Sequence, residues 1–286
     1  MNKKCRKALF SLQKCPDGKF HGGSKSLEVS AVLELYKQSD TPDFPLRYTT
    51  YVGDGDANVH NNIVSHTPRF YNGEFVIEKE ECVYHYRKRC KVHLTALFKH
   101  IRVSVVKKGV RRAHEEKNKK DKTDLPLDYS KLKPKDFLSK NPWVKHIDTY
   151  PVRFANFIFF TLKAAVIKME HSRTPEALLY MQNTIRSIPR HKMDHPGASC
   201  AQRKKYHAYC RPEFCEFAAL PTEELKLAYT TNIVGEFWYE EKTKKGRPST
   251  KAMDQILAKF DEFSTIAVMN RLTRWLNQNC NESIHH

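Results

Sequence analysis

Residues 46–52, Leu-Arg-Tyr-Thr-Thr-Tyr-Val, run straight into Gly53-Asp54-Gly55-Asp56. Carboxylates at the C-terminal end of a strand stand where an α/β sheet presents its ligand-binding groups. Carboxylates from separate segments are also what a pair of magnesium ions on a phosphodiester requires. Gly-Asp-Gly-Asp is equally good turn chemistry, so these residues by themselves leave an exposed turn open. Cys82 and His85 stand at i and i+3, a spacing that puts a thiolate and an imidazole on one helix face, beside one zinc ion or side by side in a core. Cys90 and His93 repeat that spacing, which keeps a four-ligand site conceivable.

A third set consists of Cys200, His207, Cys210 and Cys215, with His191 and His195 nearby. His207, Cys210 and Cys215 have ligand types at zinc-like distances, although no clean Cys-x-x-Cys pair occurs, and a thiol-rich loop is the alternative. Glu282 lies in a polar run after Leu272-Thr-Arg-Trp275-Leu276, where a lone Glu is ordinarily a solvated helix residue. Lys244, Lys245 and Arg247, in Lys-Lys-Gly-Arg-Pro, contain the Gly-Arg-Pro core of a minor-groove AT-hook. Ser249 and Thr250 stand where further basic residues would follow, so a flexible basic loop is the other reading.

The elements that must position these residues follow from pattern. A helix is expected over 26–39, with Leu27, Ala31, Val32, Leu35 and Tyr36 on one face. Strands are expected at 46–52 and 74–78. A long helix is expected from about Glu80 to Val106, and the Lys-rich, Pro-containing residues 107–140 read as a linker or insertion. An apolar pattern that resumes at Trp143 and runs through Phe154–Phe160 to Met169 should be a buried helix, and an amphipathic one should start near Lys251 with Met253, Ile256, Leu257, Phe260 and Phe263 inward. The apolar run at 154–169 is interrupted by Asn156, Lys163 and Lys168, which argues against a membrane span. The opening residues lack the apolar stretch of a secretory signal, so the chain reads as soluble and intracellular, with its eight Cys as thiols or metal ligands.

The composition bounds the partner. The chain has 286 residues, 50 Lys and Arg against 32 Asp and Glu, and a net charge of +18. With 40% hydrophobic residues it can bury a core, so wholesale disorder is excluded. The charge points to a polyanion but does not separate DNA from RNA or from an anionic membrane.

Three motifs in this order, residues 46–56, then Ile77-Glu-Lys-Glu-Glu-Cys82-Val-Tyr-His85, then Asn277-Gln-Asn-Cys-Asn-Glu282-Ser-Ile-His285, resemble the Mutator-like transposase domain. The resemblance covers most of the chain and is strongest at 24–95 and 253–286. It implies an α/β fold, a ribonuclease-H-like mixed sheet flanked by helices, with a largely helical, candidate zinc-binding insertion. It implies residues 1–106 as the N-terminal part of the catalytic core, 107–250 as basic linker and Cys/His-rich insertion, and 251–286 as a C-terminal helix carrying the third acid. Asp54, with Asp56 as neighbour or substitute, matches the second catalytic carboxylate and Glu282 the third. Cys82 and His85 match the family's Cys-x-x-His pair, and His207, Cys210 and Cys215 match ligands in the insertion. The first Asp has no counterpart, so the chain resembles an internal fragment that would cleave DNA weakly or not at all. The resemblance further implies magnesium or manganese at Asp54 and Glu282, structural zinc, double-stranded DNA as partner, nuclear location, and no membrane partner, with a homo-oligomer compatible. A non-catalytic, transposon-derived DNA-binding protein is the alternative.

Overall fold

The computed structural model describes residues 24–39, 48–53, 57–66, 76–122, 148–194, 198–229 and 250–276. They fall into two compact units, one within Met1–Tyr86 and Arg274–His286, the other within Arg87–Thr273. Among the described residues the chain is mostly helical, with one two-stranded parallel sheet.

In the first unit, helix α1 (Ser24–Ser39) precedes strand β1 (Thr50–Gly53), helix α2 (Ala57–His66) and strand β2 (Glu78–Glu81). The strands pair in parallel with Thr50 opposite Glu78 and Gly53 opposite Glu81, and α2 makes the crossover that parallel strands require. The buried core is Tyr36, Val59, Ile63 and Ile77, packed by Val29, Val32, Leu33 and Tyr51. The inward face of α1 is therefore Val29, Val32, Leu33 and Tyr36, an i, i+3, i+4, i+7 set, whereas Leu35 from the expected face is exposed. His60 Nε2 donates to the Ile77 carbonyl at 3.0 Å, tying α2 to the residue before β2. A side chain at the buried Gly53 would stand 2.6 Å from the Tyr51 ring, which lies over that strand end.

Strand β2 reads Glu-Lys-Glu-Glu, four residues beyond the expected start, and Glu80 and Glu81 are both buried. Arg274 binds this pair of strands from a distant part of the sequence. Its guanidinium donates to Thr50 Oγ1 at 3.0 Å and to Glu78 Oε2 at 3.1 Å, and lies 3.5 Å from Glu80 Oε1. Arg274→Ala takes the cation from beside a buried carboxylate. It should cost about 1–3 kcal/mol, read as lost amide-exchange protection over residues 50–53 and 78–81, with residues 87–273 unchanged.

Helix α3 (Val83–Asp121) is longer than expected. In the second unit Cys90, Leu94, Phe98 and Ile101 form its buried stripe, and beyond them the helix continues through Lys-rich sequence in which none of the described side chains is buried. Lys, Arg, Glu and Ala are good helix formers, so a nucleated helix propagates there without packing, helped by an Arg111–Glu115 pair at 2.9 Å. Helix α4 (Tyr150–Lys168) starts with Pro151 in its first turn and buries Tyr150, Phe154, Ile158 and Leu162. The Phe154 ring meets Phe98 at 6.0 Å and, from helix α9 (Thr250–Phe263), Phe260 at 5.3 Å. By length and composition α4 could cross a membrane, contrary to the expectation from its interrupting lysines, but half of the qualifying window is buried against protein.

Helix α5 (Pro175–His191), N-capped by Thr174, packs between α4 and α9. Short helices α6 (Cys200–Tyr206), α7 (Glu216–Ala219) and α8 (Glu223–Ala228) follow. The expected inward residues Met253, Ile256, Phe260 and Phe263 of α9 are buried. This helix stops at Ser264, whose hydroxyl donates back to the Phe260 carbonyl at 2.8 Å, and Thr265 caps a separate helix α10 (Ile266–Asn270).

A four-donor centre and the meeting of two strand ends

Three helix ends in the second unit bring four metal-ligand side chains together. His191 is the last residue of α5, His207 is the C-cap of α6, and Cys215 is the N-cap of α7. Cys210 sits in the tight turn between them, its amide bonded to the His207 carbonyl at 2.9 Å. A capping box sets the register of α6: the Ser199 hydroxyl accepts from the Gln202 amide while the Gln202 side chain accepts from the Ser199 amide. Arg203 and His207, four residues apart, then both face Asp194.

The Asp194 carboxylate accepts from Arg203 Nε at 3.2 Å through one oxygen and from His207 Nε2 at 3.1 Å through the other. All three side chains are buried, and Arg203 also donates to the Tyr229 carbonyl at 2.7 Å. With Nε2–H committed to Asp194, His207 turns Nδ1 toward the cluster, the arrangement that fixes an imidazole for metal ligation.

His191 Nδ1 lies 3.2 Å from His207 Nδ1, Cys210 Sγ lies 3.5 Å from each of these nitrogens, and Cys215 Sγ is 3.2 Å from His207 Nδ1. All four donor atoms lie within 4.8 Å of one another. A tetrahedral zinc ion with bonds of about 2.0–2.1 Å to nitrogen and about 2.3 Å to sulfur sets donors about 3.3 Å apart for two nitrogens and about 3.5 Å for nitrogen and sulfur. The donor types and these four separations fit such an ion, and four protein ligands would leave it no open position.

Electrostatics prepares the same site. Burial disfavours a charged His207, but the Asp194 carboxylate and the Cys215 sulfur outweigh it and push the imidazole up to about 9. The Cys210 thiol, hydrogen-bonded to Cys215, pulls Cys215 well below the usual thiol range against its burial, and the neighbouring imidazoles add to this. Cys210 is held protonated in turn, by that same bond and by burial. The metal-free centre thus resembles a thiolate–imidazolium pair, and an ion taking all four donors displaces protons from His207 and Cys210.

The sequence-derived trio His207, Cys210 and Cys215 is brought together, and His191 completes it. Cys200 stays out: it opens α6 while His207 closes it, about 10 Å along the axis at 1.5 Å per residue. Among the described residues no other set of three or more ligand types gathers in this way. Among the described residues Cys82 and His85 are not gathered with Cys90 and His93 into a set of this kind.

Cys82 and His85 belong to the first unit, at the start of α3. Cys82 is buried, and the His85 Nδ1 atom is buried with no hydrogen-bond partner among the described residues. Their segment is a junction. The Cys82 amide donates to the Gly53 carbonyl at 2.8 Å, and the next amide, Val83, donates to the Leu276 carbonyl at 3.0 Å. Between Arg274 and Leu276, Trp275 takes the left-handed conformation at φ 52°, uncommon for a bulky residue and costing about 1–3 kcal/mol. Successive amides therefore hold the end of β1 and the 274–276 segment to one point. Glu80 and Glu81, the buried acids adjoining this junction, were not expected from the sequence. Asp54, Asp56, Glu282, Lys244, Lys245 and Arg247 lie outside the described residues.

Residues 2–131 match the sequence profile of the Mutator-like transposase family. No curated protein and no solved structure matches the chain.

Proposed function

We propose, from the match of residues 2–131 to the Mutator-like transposase family, that the first unit of this chain is the metal-dependent DNA-cleaving core of such an enzyme and its second unit a zinc-stabilised insertion. The core would have the ribonuclease-H-like fold, acting on double-stranded DNA in the nucleus. The observation that carries this reading is the pair of bonds from the Cys82 and Val83 amides to Gly53 and Leu276. Asp54 follows Gly53 directly, and Glu282 is six residues from Leu276, within about 20 Å of extended chain. Three motifs scattered over the sequence thus lead away from one point.

In this reading Asp54, with Asp56 beside it, and Glu282 hold magnesium or manganese, and Cys82 and His85 brace the junction. A bound pair of such ions activates water and stabilises charge on the phosphorus under attack. The chain's own part is to aim the carboxylates: the parallel pairing fixes the strand end, and Arg274 with the Leu276 carbonyl fixes the segment before Glu282. The four-donor centre holds α5, α6 and α7 in register and takes no part in cleavage.

Iron(II) substituted for magnesium, with ascorbate and peroxide, cuts a backbone beside its own site. Cuts are expected near residues 53–56 and 280–284, lost in Asp54→Ala and in Glu282→Ala. Cuts elsewhere, or cuts surviving both substitutions, would refute the shared site. Manganese-dependent nicking of duplex DNA is expected to be weak. The net charge of +18 favours a second reading, DNA binding without cleavage. It predicts a steep salt dependence of duplex binding that neither substitution alters, and no localised iron cuts.

A further inference from the structure

Beyond Ile101, the last residue of its buried stripe, helix α3 runs on to Asp121, about 30 Å at 1.5 Å per residue. The Arg102–Asp148 pair at 2.8 Å ties the start of this extension to the rest of the second unit. Residues 107–122 hold eight Lys and Arg against three acids. Arg111 is paired with Glu115. The side chains of Lys107, Lys108, Arg112, Lys117, Lys119 and Lys120 are exposed, and among the described residues none of the six makes a hydrogen bond or an ion pair. Glu116 and Asp121 stand four residues after Arg112 and Lys117 and bridge neither.

Each feature narrows the partner. At 3.6 residues per turn Lys108, Arg112 and Lys119 lie on one side, within about 40°, and in phase with the buried Cys90, Leu94, Phe98 and Ile101. Cations thus replace apolar residues on the side that would meet a packed protein neighbour. Val110 and Ala113 are the apolar residues of 107–122, too few for the apolar face of a membrane-surface helix. Single-strand sites stack bases on aromatic rings, and 107–122 contain no Phe, Tyr or Trp. Lys117 lies about 160° round from the first three, so cations face two sides at once. A helix of about 10–12 Å diameter seated in the DNA major groove, about 12 Å wide, has a phosphate strand on either side. Double-stranded RNA offers no such seat, because its major groove is deep and narrow. We propose that the extension of α3 is a duplex-DNA arm, seated in the major groove and held by phosphates through Lys108, Arg112, Lys117 and Lys119. DNA as the partner rests on the transposase reading, and the groove on the geometry of the helix.

The test titrates the zinc-loaded full chain across salt concentrations with a labelled DNA duplex and, in parallel, with an oligothymidylate, an RNA duplex and anionic vesicles. Lys108→Gln, Arg112→Gln, Lys117→Gln and Lys119→Gln combined should make the slope of log K against log salt on the DNA duplex shallower by about 3–4, since each phosphate contact contributes about 0.9. The change on the other three should be below about 1, and zinc content should stay the same. Ala113→Pro keeps every cation but breaks the helix between them, and should weaken duplex binding about tenfold as the outer cations lose their common direction. Where that chain also loses zinc or its aromatic core, Ala113→Gly with Asn118→Gly loosens the helix more gently and should weaken duplex binding in the same direction. An unchanged slope on the DNA duplex, an equally large change on any of the other three, or duplex binding indifferent to the helix-breaking changes would each overturn the proposal. Asp54→Ala and Glu282→Ala should leave the duplex slope as it is, and the four Gln changes should leave the iron cuts near residues 53–56, so failure of the cleavage reading and failure of this one are told apart.

Discussion

Purified chain should carry one equivalent of zinc, and Cys215→Ser or His207→Ala should abolish it. Structural zinc in a small Cys/His site contributes about 10–16 kcal/mol of apparent binding energy, enough to decide whether the surrounding chain folds. The segment at stake runs from the end of α5 to α7, where helices of 7 and 4 residues are too short to persist unaided. Chelation should therefore remove helix signal and exchange protection from residues 191–219 while the aromatic cluster of Phe98, Phe154 and Phe260 stays protected. Less than about half an equivalent of metal in well-folded protein would sink the assignment.

Proton competition gives the same centre a pH signature. His207 has a folded value of about 9, above its ordinary 6.5. In metal-free protein its stabilising contribution is complete below 6.5 and is lost as pH rises through about 9. With zinc the dependence reverses, because the ion needs the nitrogen the proton occupies. Apparent zinc affinity should rise with pH up to about 9, followed by chelator competition across that range.

The second large effect belongs to a residue that touches no metal. Asp194→Ala should cost about 3–5 kcal/mol, because it leaves the Arg203 guanidinium, 5% exposed, without its carboxylate. Zinc affinity should fall a further 10–100-fold or so as His207 loses the acceptor that holds its ring. The paired change Asp194→Leu with Arg203→Met separates the two effects: it should restore much of the stability, since apolar replacement of both members of a buried pair is often neutral, but not the zinc affinity. Denaturation midpoints and chelator titration of the three proteins read both quantities. Equal recovery of both would mean that Asp194 acts only through folding.

His207, Cys210 and Cys215 were legible because one turn and one short loop bring them together, and local spacing survives folding. His191 was a bystander in the sequence, since its membership depends on where α5 ends relative to α6, and no local rule encodes that. Cys200 misled for the opposite reason: close in sequence, it is carried away by a helix between it and His207. The helix over 150–168 was readable from its apolar run, and the inward face of α9 from its period. Strand β2 was not, because Glu-Lys-Glu-Glu has neither alternation nor β propensity and is held by pairing to β1 and by Arg274. The ribonuclease-H-like architecture came from motif order alone, and the two parallel strands are compatible with it without establishing it.

The clamp by Arg274 also sets a clock on biosynthesis. Its partners Thr50 and Glu78 precede it by 224 and 196 residues, so they leave the ribosome long before it does. At about 5–20 residues per second that interval is about 10–40 s, ample for the helices that lie between residues 83 and 228 to form first. Nascent chains stalled before residue 274 should therefore carry strands β1 and β2 without their clamp, and for that time chaperones, rather than Arg274, would have to guard the strands.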